Sequence, residues 1–245
     1  MSGNNVVDVV ESTGSAMTPS LPRNASGRRE SPQVGVYRRS VSTFLGTLVL
    51  FVVVMPFGQY MADPGLLDGM LLTVVLISGV QAVGGRRNSL ILAVAFAIPA
   101  LVARWLWHYW PDPFLHGLFL ALGTLLLLQV TAQLLRLIVT APHVDVEVLA
   151  AGVATYLVIG LVWAMLYLLV GFLDPKAYQL PSDKVFDGFN ALYFSFVTLT
   201  TIGYGDIAPI APVARMLAIL EAVTGILFPA VLIARLVTMY TGREE

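Results

Sequence analysis

The sequence predicts an all-α membrane protein with six transmembrane helices and one short re-entrant helix. Its composition is 57% apolar and only 12% charged, against roughly 25% charged residues in a soluble globular domain. The apolar residues also fall into runs near or above the ~20 residues that cross a ~30 Å hydrocarbon core. An ordinary water-soluble enzyme is thereby excluded. The net charge of −1 gives no reason to expect a nucleic-acid partner, and with 0 cysteines there is no disulfide or thiolate metal site.

The chain opens with a polar stretch, residues 1–36, that is rich in Ser, Gly, Pro and Asn and is predicted to be a disordered tail. Arg38 and Arg39 then precede an apolar run without a small-residue cleavage site, which favours a charged helix anchor over an export signal. Long apolar segments follow, with one shorter half-apolar segment before the last of them: Val41–Tyr60, Leu66–Val83, Ser89–Trp107, Phe114–Val139, Val146–Phe172, the shorter Val185–Thr200, and Ala211–Tyr240.

Basic residues indicate the orientation of these spans. If the chain crosses six times, ten basic residues fall on one side and four on the other. The positive-inside rule then predicts that both termini are cytoplasmic. The ten are Arg23, Arg28, Arg29, Arg38, Arg39, Arg86, Arg87, Arg136, Arg235 and Arg243, and the four are Arg104, Lys176, Lys184 and Arg215. On the outer side we expect an interfacial aromatic belt of Trp105, Trp107, Tyr109 and Trp110.

The short segment Val185–Thr200 is too short to cross the bilayer. It is followed at once by a glycine-containing stretch, Thr201–Asp206. Non-helical backbone inside a membrane must be shielded by protein or line water. We therefore expect a helix that enters from outside, turns, and returns as an extended strand, with Ser182 or Asp183 capping its outer start.

Thr198–Asp206, which reads TLTTIGYGD, resembles the filter signature of potassium channels. The resemblance covers Val146–Tyr240 as an outer helix, pore helix, filter and inner helix. It implies a tetrameric architecture like that of voltage-gated channels. Residues 37–140 then form a four-helix sensor-like domain, and residues 141–245 form the pore domain. The chain is not expected to be an enzyme.

Physical chemistry explains the residue types of the predicted filter. A potassium ion that sheds its water needs oxygen ligands of comparable energy. Backbone carbonyls of Thr201, Ile202, Gly203 and Tyr204, with the Thr201 hydroxyl, are the expected K⁺ ligands. Gly203 and Gly205 permit the unusual backbone because they lack a Cβ. One loop supplies a quarter of each oxygen ring, so a homotetramer in membrane lipid is expected, with K⁺ as permeant ion and no cofactor.

Residues around the filter are predicted to support it. Asp206 lies at the outer mouth, and family members often bond this aspartate to an aromatic residue of the pore helix. We predict a hydrogen bond from Tyr193 to Asp206, with simple packing of Tyr193 as the alternative. Thr200 is a further supporting residue. The negative end of the pore helix would favour a cation in the cavity below.

The last span carries candidate gating residues. Gly225 lies where the family's inner helix has a hinge glycine, although helix packing alone is an alternative explanation. Pro229 should kink the helix one turn later. Glu221 is an acid in an apolar helix, either a titratable modulator or a group bonded to Arg215 or to a pore-helix hydroxyl. Candidates for the cavity wall and inner constriction are Ile226, Ile233 and Val237.

Voltage sensing is expected to be weak or absent. Stepping back by threes from Arg136 meets Gln133, Val130, Leu127 and Thr124, whereas a working sensor carries three to four charges per subunit. Arg136 is interpreted as an inner-interface anchor, and Gln129 and Gln133 as helix-packing residues on its face. His143 is a candidate pH-sensing residue, with a plain interfacial role as the alternative.

Two other functions are weighed against a potassium channel. A cation channel with relaxed selectivity is disfavoured by the intact sequence Gly203-Tyr204-Gly205. A transporter or membrane enzyme would need internal repeats or intramembrane acid and histidine clusters, and the sequence presents neither. The expected location is the cell membrane of a prokaryote.

Overall fold

The computed structural model describes residues 32–58, 60, 63–82, 87–141, 145–181 and 185–241. Within these ranges the elements are helices α1 to α7 and a two-stranded sheet. In chain order they are α1 (Pro32–Gly58), α2 (Pro64–Ala82), α3 (Arg87–Tyr109), α4 (Pro113–Thr140), α5 (Val146–Leu173), β1 (Tyr178–Gln179), α6 (Gly188–Leu199), β2 (Ala208–Pro209) and α7 (Pro212–Thr241).

Helices α1 to α5 and α7 are each long and apolar enough to span a membrane, whereas α6 is a shorter apolar helix. The predicted all-α membrane fold is therefore confirmed, and the chain is a multi-pass membrane protein. One boundary was wrong: α1 begins at Pro32, inside the predicted tail of residues 1–36. Proline is well suited to the first helical turn, where its missing N–H costs nothing. The rest of that tail lies outside the described residues.

Successive long helices run in opposite directions, so the end of one helix lies beside the start of the next. At one end Arg104 of α3 donates to the Gly65 carbonyl of α2 at 2.6 Å, and His116 of α4 packs edge-on against Phe172 of α5. At the opposite end Arg235 of α7 donates to the carbonyl of Val139, in the last turn of α4, at 2.9 Å. A cation at that helix end also meets the negative end of the helix dipole. This arrangement agrees with six alternating crossings.

The four-helix unit α1–α4 packs against α5 of its own chain. The last turn of α4 and the first turn of α5 are separated by only residues 141–145, so α4 runs antiparallel along α5. Their contact is close because Gly123 of α4 meets the side chain of Met165. Small residues allow such approach between membrane helices. Buried residues of one continuous core join the two units, among them Phe44, Leu48, Leu76, Leu120, Leu127 and Val158.

Polar side chains connect helices within the four-helix unit. Gln129 donates to the Ser89 carbonyl at 2.7 Å, and Gln133 donates to the Ser89 hydroxyl at 3.0 Å. Thr47 of α1 and Ser78 of α2 share a hydrogen bond at 2.8 Å. The helix-packing role predicted for the two glutamines is therefore confirmed. Arg136, one turn further along α4, is exposed.

Helix α7 differs from the other spans in how little of it is covered. Only 11% of its spanning window is buried, compared with 28–44% for the other five. Its exposed apolar side chains include Val223, Ile226, Val231, Ile233 and Val237. A membrane face of this kind is available to lipid or to further protein.

Candidate ion-conduction site

The pore helix α6 begins at Gly188 with Asp187 as its N-cap. The Asp187 carboxylate accepts from the Asn190 amide at 2.8 Å, and the Asn190 side chain donates to the Val185 carbonyl at 2.7 Å. These bonds satisfy backbone groups that have no partner inside the helix. The capping prediction was wrong because the helix starts later than the apolar segment does. Ser182 and Asp183 lie outside the described residues.

The extended segment Thr201–Gly205 follows α6 and is here called the strand. Backbone amides of this strand donate hydrogen bonds to carbonyls in the last turn of α6. The Thr201 amide donates to the Thr198 carbonyl at 2.9 Å, and the amides of Ile202 and Gly203 both donate to the Val197 carbonyl, at 3.0 and 3.3 Å. In a trans peptide the carbonyl points opposite to the next residue's N–H. The carbonyls of Thr200, Thr201 and Ile202 therefore point away from the pore helix.

The backbone of this strand alternates in handedness. Thr201, Gly203 and Gly205 have positive φ angles of 61°, 59° and 80°, while no other described residue does. Alternation between left- and right-handed conformations turns successive carbonyls to the same side. Glycine adopts positive φ freely, but in a β-branched residue this conformation is an outlier that costs about 1–2 kcal/mol. The structure thus adds Thr201 to the two glycines expected to carry the unusual backbone.

The strand Thr201–Gly205 is exposed to solvent in the single chain. Ile202 is 55% exposed and Tyr204 is 69% exposed. The supporting residue Thr200 turns back toward the helix, since its hydroxyl donates to the Phe196 carbonyl at 2.6 Å. Residues 201–206 are all exposed, so the side of the strand that faces away from α6 is open to other protein chains or ions.

Tyr193 supports the strand from behind. Its ring stacks on Tyr204 with centroids 6.5 Å apart and planes 6° from parallel. The pKa of Tyr193 is raised by desolvation and then by the nearby Asp206 side chain. The structure therefore places Tyr193 beside Tyr204 and Asp206, and the hydrogen bond between Tyr193 and Asp206 stays a prediction.

Tyr193→Phe is expected to shorten the lifetime of the conducting state while leaving the ring stack intact. Loss of one such hydrogen bond costs about 1 kcal/mol. Single-channel recording at low potassium concentration would measure the dwell times. Tyr193→Leu, which removes the stack as well, should have a larger effect, and wild-type dwell times in Tyr193→Phe would show that the bond to Asp206 is irrelevant.

The segment that follows the strand Thr201–Gly205 is held in place by a short sheet. β1 pairs antiparallel with β2, so that Tyr178 faces Pro209 and Gln179 faces Ala208. Beside this sheet, Arg215 donates from Nε to the Pro209 carbonyl at 3.2 Å. Ile207 is buried in a cluster that includes Tyr178 of β1 and Ala214 of α7. The sheet and these contacts fix the outer end of the predicted filter.

Glu221 of α7 is fully buried and joins three helices. The Tyr167 hydroxyl of α5 bonds to its Oε2. The Ser195 hydroxyl of α6 lies 2.5 Å from its Oε1 and 2.7 Å from the Gly160 carbonyl oxygen of α5. Of the two partners predicted for Glu221, the pore-helix hydroxyl is therefore the one observed, while Arg215 bonds elsewhere; the role of Glu221 as a titratable modulator stays a prediction.

The hydrogen bonds around Glu221 favour a protonated carboxyl group. A serine hydroxyl has a single hydrogen, so Ser195 cannot donate both to a carboxylate and to the Gly160 carbonyl. If Oε1 carries a proton, it donates to Ser195, Ser195 donates to Gly160, and Tyr167 donates to Oε2. Every group is then satisfied, and no uncompensated charge is buried in the membrane.

Gly225 of α7 packs directly on the end of the pore helix. A Cβ at this position would lie well inside the van der Waals radius of the Leu199 carbonyl oxygen. Packing therefore explains this glycine, and its role as a hinge stays a prediction, as does a kink at Pro229, which lies within the helix. The predicted cavity-wall residues Ile226, Ile233 and Val237 are 62, 61 and 57% exposed. His143 lies outside the described residues.

Comparison with known proteins assigns the family. A family model described as "Ion channel" matches residues 152–242. Protein LctB of Bacillus caldotenax is 33% identical over 125 residues, which are 49% of this chain and 92% of that protein. No solved structure matches the chain significantly.

Two further relatives are named as potassium channels. A voltage-gated potassium channel of Aeropyrum pernix is 35% identical over 63 residues, 26% of this chain and 21% of the relative. Two-pore potassium channel 4 of Arabidopsis thaliana is 33% identical over 93 residues, 37% of this chain and 33% of the relative. The chain thus spans a third or less of these two proteins. Ion channels are not a class of enzymes. Together with the fold and the strand after α6, the family model and the match to Protein LctB show that the chain belongs to the ion channel family.

Proposed function

We propose that the chain forms a homotetramer that conducts K⁺ passively and selectively through the strand Thr201–Gly205. The observation that carries the proposal is the common direction of its carbonyls, which follows from the alternating φ angles and from the amides anchored on Val197. Stacked carbonyl oxygens can replace the hydration shell of K⁺.

Four copies are proposed because one strand supplies only one side of an oxygen ring. The apolar face of α7 and the strand Thr201–Gly205 are both exposed in the single chain. Cyclic symmetry would bury both around a single axis. In the tetramer, Ile226, Ile233 and Val237 would face the water-filled cavity or the neighbouring copy.

The four-helix unit is proposed to be a scaffold that confers weak or absent voltage dependence. Helix α4 carries Arg136 as its one arginine, near its end. A charge that crosses 100 mV gains only ~2.3 kcal/mol. The bond from Arg235 to Val139 gives this scaffold a direct contact with the inner end of α7. With the pore helix entering from outside, both termini would be cytoplasmic.

The test is a potassium-gradient flux assay on the purified chain in liposomes. Gly203→Ala is expected to abolish potassium selectivity, because alanine at a φ of +59° is strained by about 1–2 kcal/mol and would change the carbonyl direction in every subunit. Wild-type protein should pass K⁺ far better than Na⁺ and should be blocked by barium.

Gly46→Ala is the matched control. Gly46 lies in α1, where an added Cβ meets nothing within 4 Å, so flux and selectivity should stay as in wild type. Equal passage of sodium and potassium by the wild type would favour the relaxed-selectivity alternative. A monomer in lipid, measured by cross-linking or native mass spectrometry, would contradict the proposed assembly.

A further inference from the structure

A cavity of about 430 Å³ lies between the four-helix unit and the base of the pore helix. Its walls come from α1 to α5 and from the residues that lead into α6, and most of them are aliphatic or aromatic. The volume falls within the range of ligand pockets, about 300–1,000 Å³, and far exceeds the room needed for one water. The cavity is separate from the strand Thr201–Gly205.

Arg104 is the charged group that marks this cavity. Its side chain is only 6% exposed, and its guanidinium lies 5.3 Å from the Trp107 ring centre and 6.0 Å from that of Phe119. An arginine has five N–H donors, yet among the described residues its side chain makes one hydrogen bond, to Gly65. A buried cation with unfilled donors calls for an acceptor in the cavity.

Acidic groups line the same cavity. Asp68 of α2 and Asp187 at the start of α6 are both wall residues. Within the described part of the chain the Asp68 carboxylate accepts no hydrogen bond and forms no ion pair with Arg104. His116 contributes a buried Nδ1 that has no partner among the described residues. The unfilled donors of Arg104 and the unfilled acceptors of Asp68 thus face one space.

The balance of charge selects the ligand. The Asp187 carboxylate already caps α6, so Arg104 and Asp68 are the opposite charges offered to a ligand, and they fit a molecule that is negative at one end and positive at the other. The apolar walls fit a hydrocarbon chain. The depth is also suitable, because tryptophans such as Trp105 and Trp107 on α3 are typical of the membrane interface.

We propose that this cavity binds the headgroup of a zwitterionic phospholipid with a primary ammonium group, such as phosphatidylethanolamine. Its phosphate accepts from Arg104, and its ammonium donates to Asp68. A choline headgroup carries no N–H donors and leaves Asp68 without hydrogen bonds, while a glycerol headgroup brings a net negative charge and no cation toward Asp68. The bound lipid would wedge the four-helix unit against the pore helix.

The test measures binding of short-chain phosphatidylethanolamine, phosphatidylcholine and phosphatidylglycerol to the delipidated full chain by native mass spectrometry. We expect wild-type protein to bind the ethanolamine lipid about tenfold more tightly than the other two, as one charge-assisted hydrogen bond would provide. Asp68→Asn should bring the ethanolamine and choline lipids to equal affinity. Arg104→Gln should weaken all three, and Arg136→Gln, an exposed arginine outside the cavity, should change nothing.

Circular dichroism and size-exclusion chromatography verify that each variant is folded, and Asp68→Asn alone decides the question if Arg104→Gln does not fold. Free phosphoethanolamine in excess should not displace the lipid, and equal affinity for it would overturn a lipid origin. The proposal is also overturned if wild-type protein binds the three lipids equally or if Asp68→Asn keeps the ethanolamine preference. Because the readout is lipid binding, these outcomes are independent of whether the chain conducts K⁺.

Discussion

Gly225→Ala is expected to prevent assembly of the folded channel. The alanine Cβ would overlap the Leu199 carbonyl oxygen, which is backbone and has no rotamer through which to move away. Overpacking a tight contact costs about 1–3 kcal/mol and occasionally more, and this overlap with rigid backbone belongs at the upper end. The damage would recur in each subunit. The measurement is the fraction of protein recovered as an oligomer by size-exclusion chromatography in detergent.

The same variant separates the two explanations of Gly225. If the glycine served only as a hinge, alanine would leave assembly intact and change the open probability. If it serves close packing, alanine reduces the recovered oligomer itself. Gly46→Ala is the control for helix propensity, because it makes the same change in a helix where the added methyl group meets open space and should stabilise the helix by about 0.5–1 kcal/mol.

The filter could be predicted because its chemistry is local in the sequence. Glycine at positions 203 and 205 predicts positive φ angles, and the structure gives 59° and 80° at these residues. Thr201 could not be predicted in this way, since a β-branched residue disfavours that conformation. It is held there by the hydrogen bond of its own amide to Thr198 and by the bonds of the next two amides to Val197. Tertiary contacts therefore override a local preference at this residue.

The spans could be predicted from hydropathy, but their ends could not. Hydropathy reports the membrane-crossing part, Val41–Tyr60, whereas α1 extends back to Pro32. A helix is free to continue into water, where a polar side chain is not penalised. The pore-helix cap was missed for a related reason. The apolar pattern begins at Val185, but the helix can start only where a side chain satisfies its first amides, at Asp187.

The sequence predicted the buried acid Glu221 but not both of its hydrogen-bond partners. Glu221 is conspicuous in an apolar helix, yet its partners Tyr167 and Ser195 are separated from it by 54 and 26 residues along the chain. No local pattern signals their contact. A serine in the pore helix and a tyrosine in the outer helix are unremarkable until the three helices are assembled. The network therefore depends on packing that a single sequence does not encode in any short segment.

Glu221→Gln is expected to be nearly neutral, whereas Glu221→Ala is expected to be severe. We expect an uncharged acid at this position, and glutamine reproduces its bonding: the amide N–H₂ donates to Ser195 and the amide oxygen accepts from Tyr167. Alanine leaves both hydroxyl groups buried with lost partners, which at about 1–3 kcal/mol each costs about 2–6 kcal/mol. The measurement is the temperature at which the oligomer is lost, followed by size-exclusion chromatography after heating.

A double-mutant cycle between Ser195→Ala and Glu221→Ala tests the coupling. If the two side chains bond only through the shared proton, removing both should cost clearly less than the sum of the single losses. Should Glu221→Gln instead be as damaging as Glu221→Ala, the ionised carboxylate would be the required form. Ser195 would then have to give up the Gly160 carbonyl, and the three helices would be held by a buried charge rather than by a chain of neutral hydrogen bonds.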